Sequence, residues 1–88
     1  KNESLAVTCF TQLWGEHIGM QNPGGTGWPD AGTRWVIEEE DLRKFFYGKA
    51  TTTNKRQAFT RAVEGLISKG EMAKNEGFFW LLRQKYKL

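Results

Sequence analysis

The sequence contains very little of the chemistry that builds disulfides, metal sites and nucleophilic active sites. Its 88 residues include one cysteine, Cys9, and one histidine, His17. A single cysteine forms no disulfide within the chain, and structural zinc sites take four cysteine or histidine ligands. Both residues lie on the apolar side of a predicted helix without a third orienting group, which favours a packed histidine over a catalytic one. We therefore expect a protein that is not an enzyme and that holds no cofactor.

Long apolar runs are missing as well. No stretch approaches the roughly 18 apolar residues of a membrane span, and the first four residues lack the layout of a signal peptide. We therefore expect a soluble protein without a membrane partner, and the lone cysteine fits a reducing cytoplasm. Because the chain begins without methionine, we also expect a fragment or a processed form of a longer protein.

Proline is scarce, and both prolines lie in one glycine-rich segment. Residues 22–33 hold the two prolines and four of the ten glycines, without an apolar period. We expect a Gly/Pro loop there, held down by Trp28. The chain has no internal repeat, and its length is enough for one compact core only. The sequence thus predicts a single domain over residues 1–88, with twelve aromatic residues available to its core.

Acidic residues are scarce in the second half of the chain. Residues 1–42 carry two basic and seven acidic side chains, whereas residues 43–88 carry eleven basic and three acidic ones. The net charge of +3 conceals this division. A strongly positive half attracts polyanions such as nucleic acids, although basic halves also occur in domains that bind none.

The spacing of apolar residues predicts three helices and three short strands. The first helix has Leu5, Cys9 and Leu13 on one side, and the second begins with four carboxylates, which favour a helix N-terminus. The predicted order is helix 5–20, loop 21–33, strand 34–37, helix 38–48, helix 54–69, strands 71–73 and 78–82, and a basic tail 83–88. This order predicts an α+β fold of the winged helix-turn-helix type.

The predicted third helix carries the clearest local signals. Asn54 is a good cap, Gln57 completes a pair similar to a capping box, and Gly70 supplies a left-handed stop. A hairpin follows, with its turn over residues 74–77. Helical spacing predicts an apolar seam that consists of Ala58, Phe59, Ala62, Val63, Leu66 and Ile67. The opposite, solvent-exposed face consists of Asn54, Gln57, Arg61, Glu64 and Ser68.

A helix followed directly by a hairpin is how winged-helix domains place side chains in the DNA major groove. Arg61 is centred on the solvent-exposed face, so we expect it to contact the DNA bases or the DNA backbone. Gln57 and Asn54 precede it on the N-terminal side, which usually meets the bases. Lys55 and Arg56 in the first helical turn favour phosphate binding. The candidate DNA-binding residues are Asn54, Lys55, Arg56, Gln57, Thr60, Arg61, Lys69, Lys74, Asn75, Arg83 and Lys85.

Each assignment has a simpler alternative. The polar face of the helix is also compatible with exposure to solvent alone. Glu64 either accepts a hydrogen bond from a cytosine amino group or balances the charge of Arg61 one turn away. Phe78, Phe79 and Trp80 form either a stacking platform for single-stranded bases or, as we favour, packing over a three-helix core.

The second half of the chain also resembles a known family. The matching segments are Trp35-Val36, Leu42 to Tyr47, Lys55 to Ala62, Leu66 to Gly70 and Gly77 to Leu81. They are similar to the C-terminal winged-helix segment of RepA-like replicative helicase ATPases of plasmids, phages and mobile elements. In that family the segment follows a hexameric ATP-driven motor, so the resemblance implies a domain that helps the motor engage DNA. The motor is absent from these residues.

Two functions follow from these expectations. The first is DNA binding, with duplex or forked DNA favoured over a single strand, by an accessory domain of a replication protein. The second is a protein-interaction or oligomerisation module that docks a partner protein or the parent ATPase through the same helix and hairpin. The acidic run at residues 38–41 and exposed aromatic side chains would favour the second function.

Overall fold

The computed structural model describes residues 2–30 and 32–82, which form three helices and four short strands. The elements are α1 Asn2–Gly15, β1 Met20–Gln21, β2 Trp35–Glu38, α2 Glu39–Lys49, α3 Lys55–Ser68, β3 Met72–Asn75 and β4 Phe78–Leu81. The strands form one small antiparallel sheet. The predicted α+β class is confirmed, and the arrangement is compatible with a winged helix.

The sheet has the strand order β1-β2-β4-β3, so the predicted hairpin joins the rest of the sheet through β4. Its turn consists of Glu76 and Gly77 alone, with φ angles of 52° and 83°. Positive φ at both central residues is typical of the type I′ turn, which matches the twist of a hairpin. The turn is shorter than the predicted 74–77 because Lys74 and Asn75 still pair with β4.

One core fills the space between the helices and the sheet. Phe46 of α2 meets Phe59 of α3 edge to face, with ring centroids 5.4 Å apart. Phe79 of β4 belongs to the same core and is fully buried. Among the described residues, no polar or charged residue is buried. The largest fully buried side chains are Phe46, Phe79, Ile37, Leu42, Leu66 and Met72.

The first helix is shifted toward the N-terminus relative to the predicted range 5–20. His17 adopts a left-handed backbone with φ 58°, and the N–H of Ile18 donates to the carbonyl of Leu13 at 3.0 Å. This bond is that of a Schellman motif, which ends the helix early. His17 is exposed and stacks on Trp35 with ring centroids 5.1 Å apart, so the expectation of a packed core histidine is wrong.

The buried seam of α3 is narrower than predicted. Leu66 is almost completely buried, whereas Ile67 is 39% exposed. Successive residues of a helix are about 100° apart around its axis. By this rotation Leu66 lies near the middle of the buried seam and Val63 at its edge, and Ile67 lies about 40° beyond Val63. The predicted place of Ile67 in the seam is therefore wrong.

The predicted order lacks β1, which follows Gly19 and pairs with β2 through Met20 and Val36. Gly19 has a φ of 150°, and a Cβ there would overlap the carbonyl oxygen of Val36. Since that oxygen belongs to the backbone, the strand would have to shift. We expect Gly19→Ala to lower the free energy of unfolding by about 1 to 3 kcal/mol, measured by urea denaturation.

Gly48→Ala is the matched control for this substitution. Gly48 lies inside α2, and nothing stands within 4 Å of the position its Cβ would take. Alanine is favoured over glycine inside a helix by roughly 0.5 to 1 kcal/mol, so stability should rise slightly. Equal losses in the two variants would contradict the close approach at Gly19.

Candidate nucleic-acid interface

α3 begins with two hydrogen bonds between Asn54 and Gln57. The Oδ1 of Asn54 accepts from the backbone N–H of Gln57, and the Nδ2 of Asn54 donates to the Oε1 of Gln57, both at 3.1 Å. The predicted cap is confirmed, although in a capping box the later residue bonds to the backbone N–H of the cap residue. Both side-chain amides are therefore engaged with each other at the start of the helix.

The outer face of α3 is polar and exposed along its whole length. Arg61 at its centre is exposed, as the spacing predicts, while the opposite face is packed in the core. Among the described residues, the side chains of Arg61 and Glu64 form no ion pair with each other or with any other residue. We call this face the polar stripe. It consists of Asn54, Gln57, Arg61, Glu64 and Ser68, with Thr60 exposed beside it.

Positive side chains gather where α2 ends and α3 begins. Lys49 closes α2, with its Nζ 5.3 Å from the ring centroid of Phe45, and Lys55 and Arg56 open α3. The first-turn backbone amides that the Asn54 cap leaves unbonded, together with the helix dipole, add positive potential at the same place. We call residues 49–56 the basic turn. Its charges and amides suit it to bind phosphate groups.

The tip of the hairpin is fastened to the start of α2. The carbonyl oxygen of Gly77 accepts from the N–H of Glu39 at 2.8 Å, and the Nζ of Lys74 lies 3.4 Å from the Oε1 of Glu39. The same amine is 5.6 Å from the ring centroid of Phe79. An exposed ion pair contributes only about 0 to 1 kcal/mol, but here Glu39 balances the charge of Lys74 and makes it a weaker phosphate ligand than the side chains at the start of α3.

Two further candidate residues already contact other parts of the protein. Asn75 is half-buried, and a Cβ on Gly27 would lie 3.1 Å from its Nδ2. The Nζ of Lys69 donates to the Oε1 of Glu3 in α1 at 2.6 Å. The Gly/Pro loop thus passes close to the hairpin at Asn75, and the bond from Lys69 to Glu3 joins α3 to α1. The candidates Arg83 and Lys85 lie outside the described residues.

The pairing of β2 with β4 places a negative surface beside the hairpin. Glu38 ends β2 opposite Phe78, and the carboxylates of residues 39–41 form the first turn of α2. We call residues 38–41 the acidic edge. The sequence identifies these carboxylates as a helix start, but their position beside the hairpin depends on strand pairing between distant segments. Phosphates approaching from this side would be repelled.

The Gly/Pro loop covers the outer face of the hairpin. Trp28 packs against Phe78 and Trp80, with ring centroids 6.1 and 5.9 Å away, as the sequence predicts for its anchoring role. The side-chain amide of Asn22 holds the loop by donating to backbone carbonyls within it. Trp80 and Phe79 are buried, so the interpretation of these aromatic residues as packing is confirmed.

The one cysteine lies in a setting that suppresses its reactivity. Burial raises the pKa of the Cys9 thiol, and the charge of Lys49 lowers it by a smaller amount. A thiol that stays protonated is a poor nucleophile. Within residues 2–30 and 32–82, no three His, Cys, Asp or Glu side chains group closely enough to hold a metal ion. No helix of that part of the chain combines the length and apolarity needed to cross a bilayer.

No protein-family model, curated protein or solved structure matches the chain.

Proposed function

We propose that the chain is a DNA-binding domain of the winged-helix type, which engages duplex or forked DNA through the polar stripe and the basic turn. The observation that carries this proposal is Arg61, exposed at the centre of the stripe and in no ion pair with a described residue. Such a guanidinium is free to pair bidentately with guanine or with a phosphate. Since the opposite face of α3 is packed, the helix holds this side chain on a rigid support.

The order and pairing of the elements support a winged helix. A turn over residues 50–54 joins α2 to α3, and α3 leads directly into the hairpin of β3 and β4. β2 precedes α2 and pairs with β4, which fixes the hairpin beside the two helices. In helix-turn-helix proteins the second helix of the motif lies in the major groove. α3 has the corresponding place in this chain.

The distribution of charge favours one orientation on DNA. The basic turn lies at the end of α2 and the acidic edge at its beginning. With 11 residues, α2 is about 16 Å long, which exceeds the Debye length of about 8 Å at physiological salt. The two ends therefore act on phosphates independently. We expect DNA to approach the basic turn and to avoid the acidic edge.

The resemblance to RepA-like replicative helicases supports a role in a replication protein of a mobile element. Under this proposal the domain is an accessory or C-terminal part that helps a separate ATP-driven motor hold DNA. The matching positions include Arg56 and Arg61, which belong to the basic turn and the polar stripe. DNA binding by the domain itself is testable without the motor.

Fluorescence anisotropy with labelled duplex, forked and single-stranded DNA tests the proposal. We expect binding at low salt, with duplex or fork above single strand, and a logarithm of affinity that falls linearly with the logarithm of salt concentration. Arg56→Ala removes one phosphate contact, so the slope should become shallower by about one unit. No binding of any of the three DNA forms at low salt would contradict the proposal.

Lys44→Ala is the charge-matched control for Arg56→Ala. The Nζ of Lys44 lies 3.3 Å from the Oε2 of Glu40, so a carboxylate already balances its charge within α2. We expect a much smaller change in the salt slope. Equal changes in the two variants would mean that net charge alone, and not the basic turn, determines binding.

A protein-interaction module is the second candidate, and the acidic edge favours it. Four consecutive carboxylates beside the hairpin complement a basic surface of a partner protein better than they complement DNA. This function predicts no salt-dependent DNA binding and a protein complex that weakens in Glu40→Lys. The anisotropy titration therefore separates the two functions.

A further inference from the structure

We infer that the polar stripe reads G·C base pairs through Arg61 and Glu64, while Asn54 and Gln57 serve as a helix cap and do not read adenine. The inference rests on the proposed DNA binding by α3. It goes further because it states which base pairs the helix selects and which of its polar residues make the selection.

The amides at the start of α3 are occupied. To read adenine, one side-chain amide must donate a hydrogen bond to N7 and accept one from the N6 amino group. Asn54 uses its Oδ1 for the N–H of Gln57 and its Nδ2 for the Oε1 of Gln57, each at 3.1 Å. Asn54 can turn to a base only by releasing the cap of α3. Gln57 can turn to a base only by giving up the hydrogen bond that its Oε1 accepts from Asn54. Reading adenine with either amide therefore costs a hydrogen bond at the start of α3, a cost that Arg61 and Glu64 do not carry.

Arg61 and Glu64 are the long side chains of the stripe that remain available. Both are exposed, and neither is paired within the described part of the chain. Arginine donates twice to O6 and N7 of guanine, and glutamate accepts from the N4 amino group of cytosine. The carboxylate of Glu64 also repels the acceptor atoms of guanine and thymine. It therefore disfavours two bases while it favours cytosine.

The spacing of the two residues fits neighbouring base pairs. Three residues along a helix rise by about 4.5 Å, which is close to the step of about 3.4 Å between base pairs. Residues three apart also lie on the same side of a helix. Arg61 and Glu64 therefore reach adjacent base pairs, and the preferred DNA site contains two adjacent G·C pairs.

Selection from a duplex library with a randomised centre, using the whole chain, tests this inference. We expect the enriched duplexes to share two adjacent G·C pairs, and replacement of these pairs by A·T to weaken binding about tenfold or more. Substituting 7-deazaguanine for the contacted guanine removes its N7 acceptor. This change should weaken binding several-fold, because one of the two guanidinium hydrogen bonds is lost.

Three variants separate the roles of the residues. Arg61→Ala should remove the preference for guanine, and Glu64→Gln the preference for cytosine. Gln57→Ala removes a residue of the binding face and lowers overall affinity, but it should leave the ratio of affinities for G·C and A·T duplexes unchanged. Circular dichroism shows whether each variant keeps its helices. If Gln57→Ala instead removes a preference for adenine from the selected site, the assignment of the amides is overturned.

The possible outcomes distinguish this inference from the proposed function. Salt-dependent binding with equal affinity for G·C and A·T duplexes overturns the inference and leaves DNA binding intact. Enrichment of A·T-rich duplexes likewise overturns the inference and leaves DNA binding intact. Absence of binding to any duplex at low salt removes the proposed function and the inference together.

Discussion

Phe79→Ala should lower the free energy of unfolding by about 3 to 5 kcal/mol, the range for removing a buried aromatic ring. Phe79 is fully buried in β4, where it pairs with Ile37 of β2 and joins the hairpin to the core. Small domains are stable by only about 5 to 15 kcal/mol in total, so the variant should be close to unfolding. Urea denaturation followed by circular dichroism measures the difference.

Phe78→Ala is the matched control from the neighbouring position. Successive residues of a strand point to opposite faces, and Phe78 lies half-buried on the face that Trp28 covers. Because less of its surface is removed from water, we expect a loss of about 1 to 2 kcal/mol. If Phe78→Ala cost as much stability as Phe79→Ala, the assignment of core and outer faces to this strand would be wrong.

Arg61→Ala should weaken duplex binding by about 1 to 3 kcal/mol, or roughly fivefold to 150-fold in the dissociation constant. The substitution removes an exposed guanidinium from the centre of the polar stripe. Arg61→Lys keeps the charge but loses the planar fork of donors, so its affinity should lie between those of the wild type and Arg61→Ala. Anisotropy at one fixed salt concentration compares the three proteins.

Arg34→Ala is the control for loss of an arginine elsewhere on the surface. Arg34 is exposed just before β2, beside the Gly/Pro loop, where its carbonyl accepts from the N–H of Asn22. It belongs to neither the polar stripe nor the basic turn. We expect little change in duplex affinity, and a loss as large as that of Arg61→Ala would count against a specific surface on α3.

The sequence predicts α3 more accurately than α1 because the signals for α3 are local. Asn54 caps the helix, and Gly70, with a φ of 75°, follows its end. The end of α1 depends instead on a left-handed His17 and on the approach of Gly19 to β2, a strand that is distant in the sequence. β1 is two residues long, which is too short to show an alternation of apolar and polar residues in the sequence. It forms a strand because it pairs with β2.

In the candidate site, helical periodicity in the sequence predicts which side chains are exposed. It does not predict which residues those side chains contact. The spacing of apolar residues is sufficient to place Arg61 outward. The ion pair of Lys74 with Glu39 arises only when β4 has paired with β2. The approach of Gly27 to Asn75 likewise requires the Gly/Pro loop to fold over the hairpin. Contacts between distant segments therefore decide which predicted binding residues are free to act.

The proposed DNA-binding surface consists of the polar stripe and the basic turn. NMR chemical-shift mapping locates bound DNA residue by residue, because each non-proline residue of this small domain reports on DNA through its own amide signal. On titration with an unlabelled duplex, we predict the largest shifts within residues 49–64 and small shifts in α1 and the acidic edge. Shifts concentrated in α1 or at residues 38–41, or no shifts at low salt, would show that DNA does not lie against this surface.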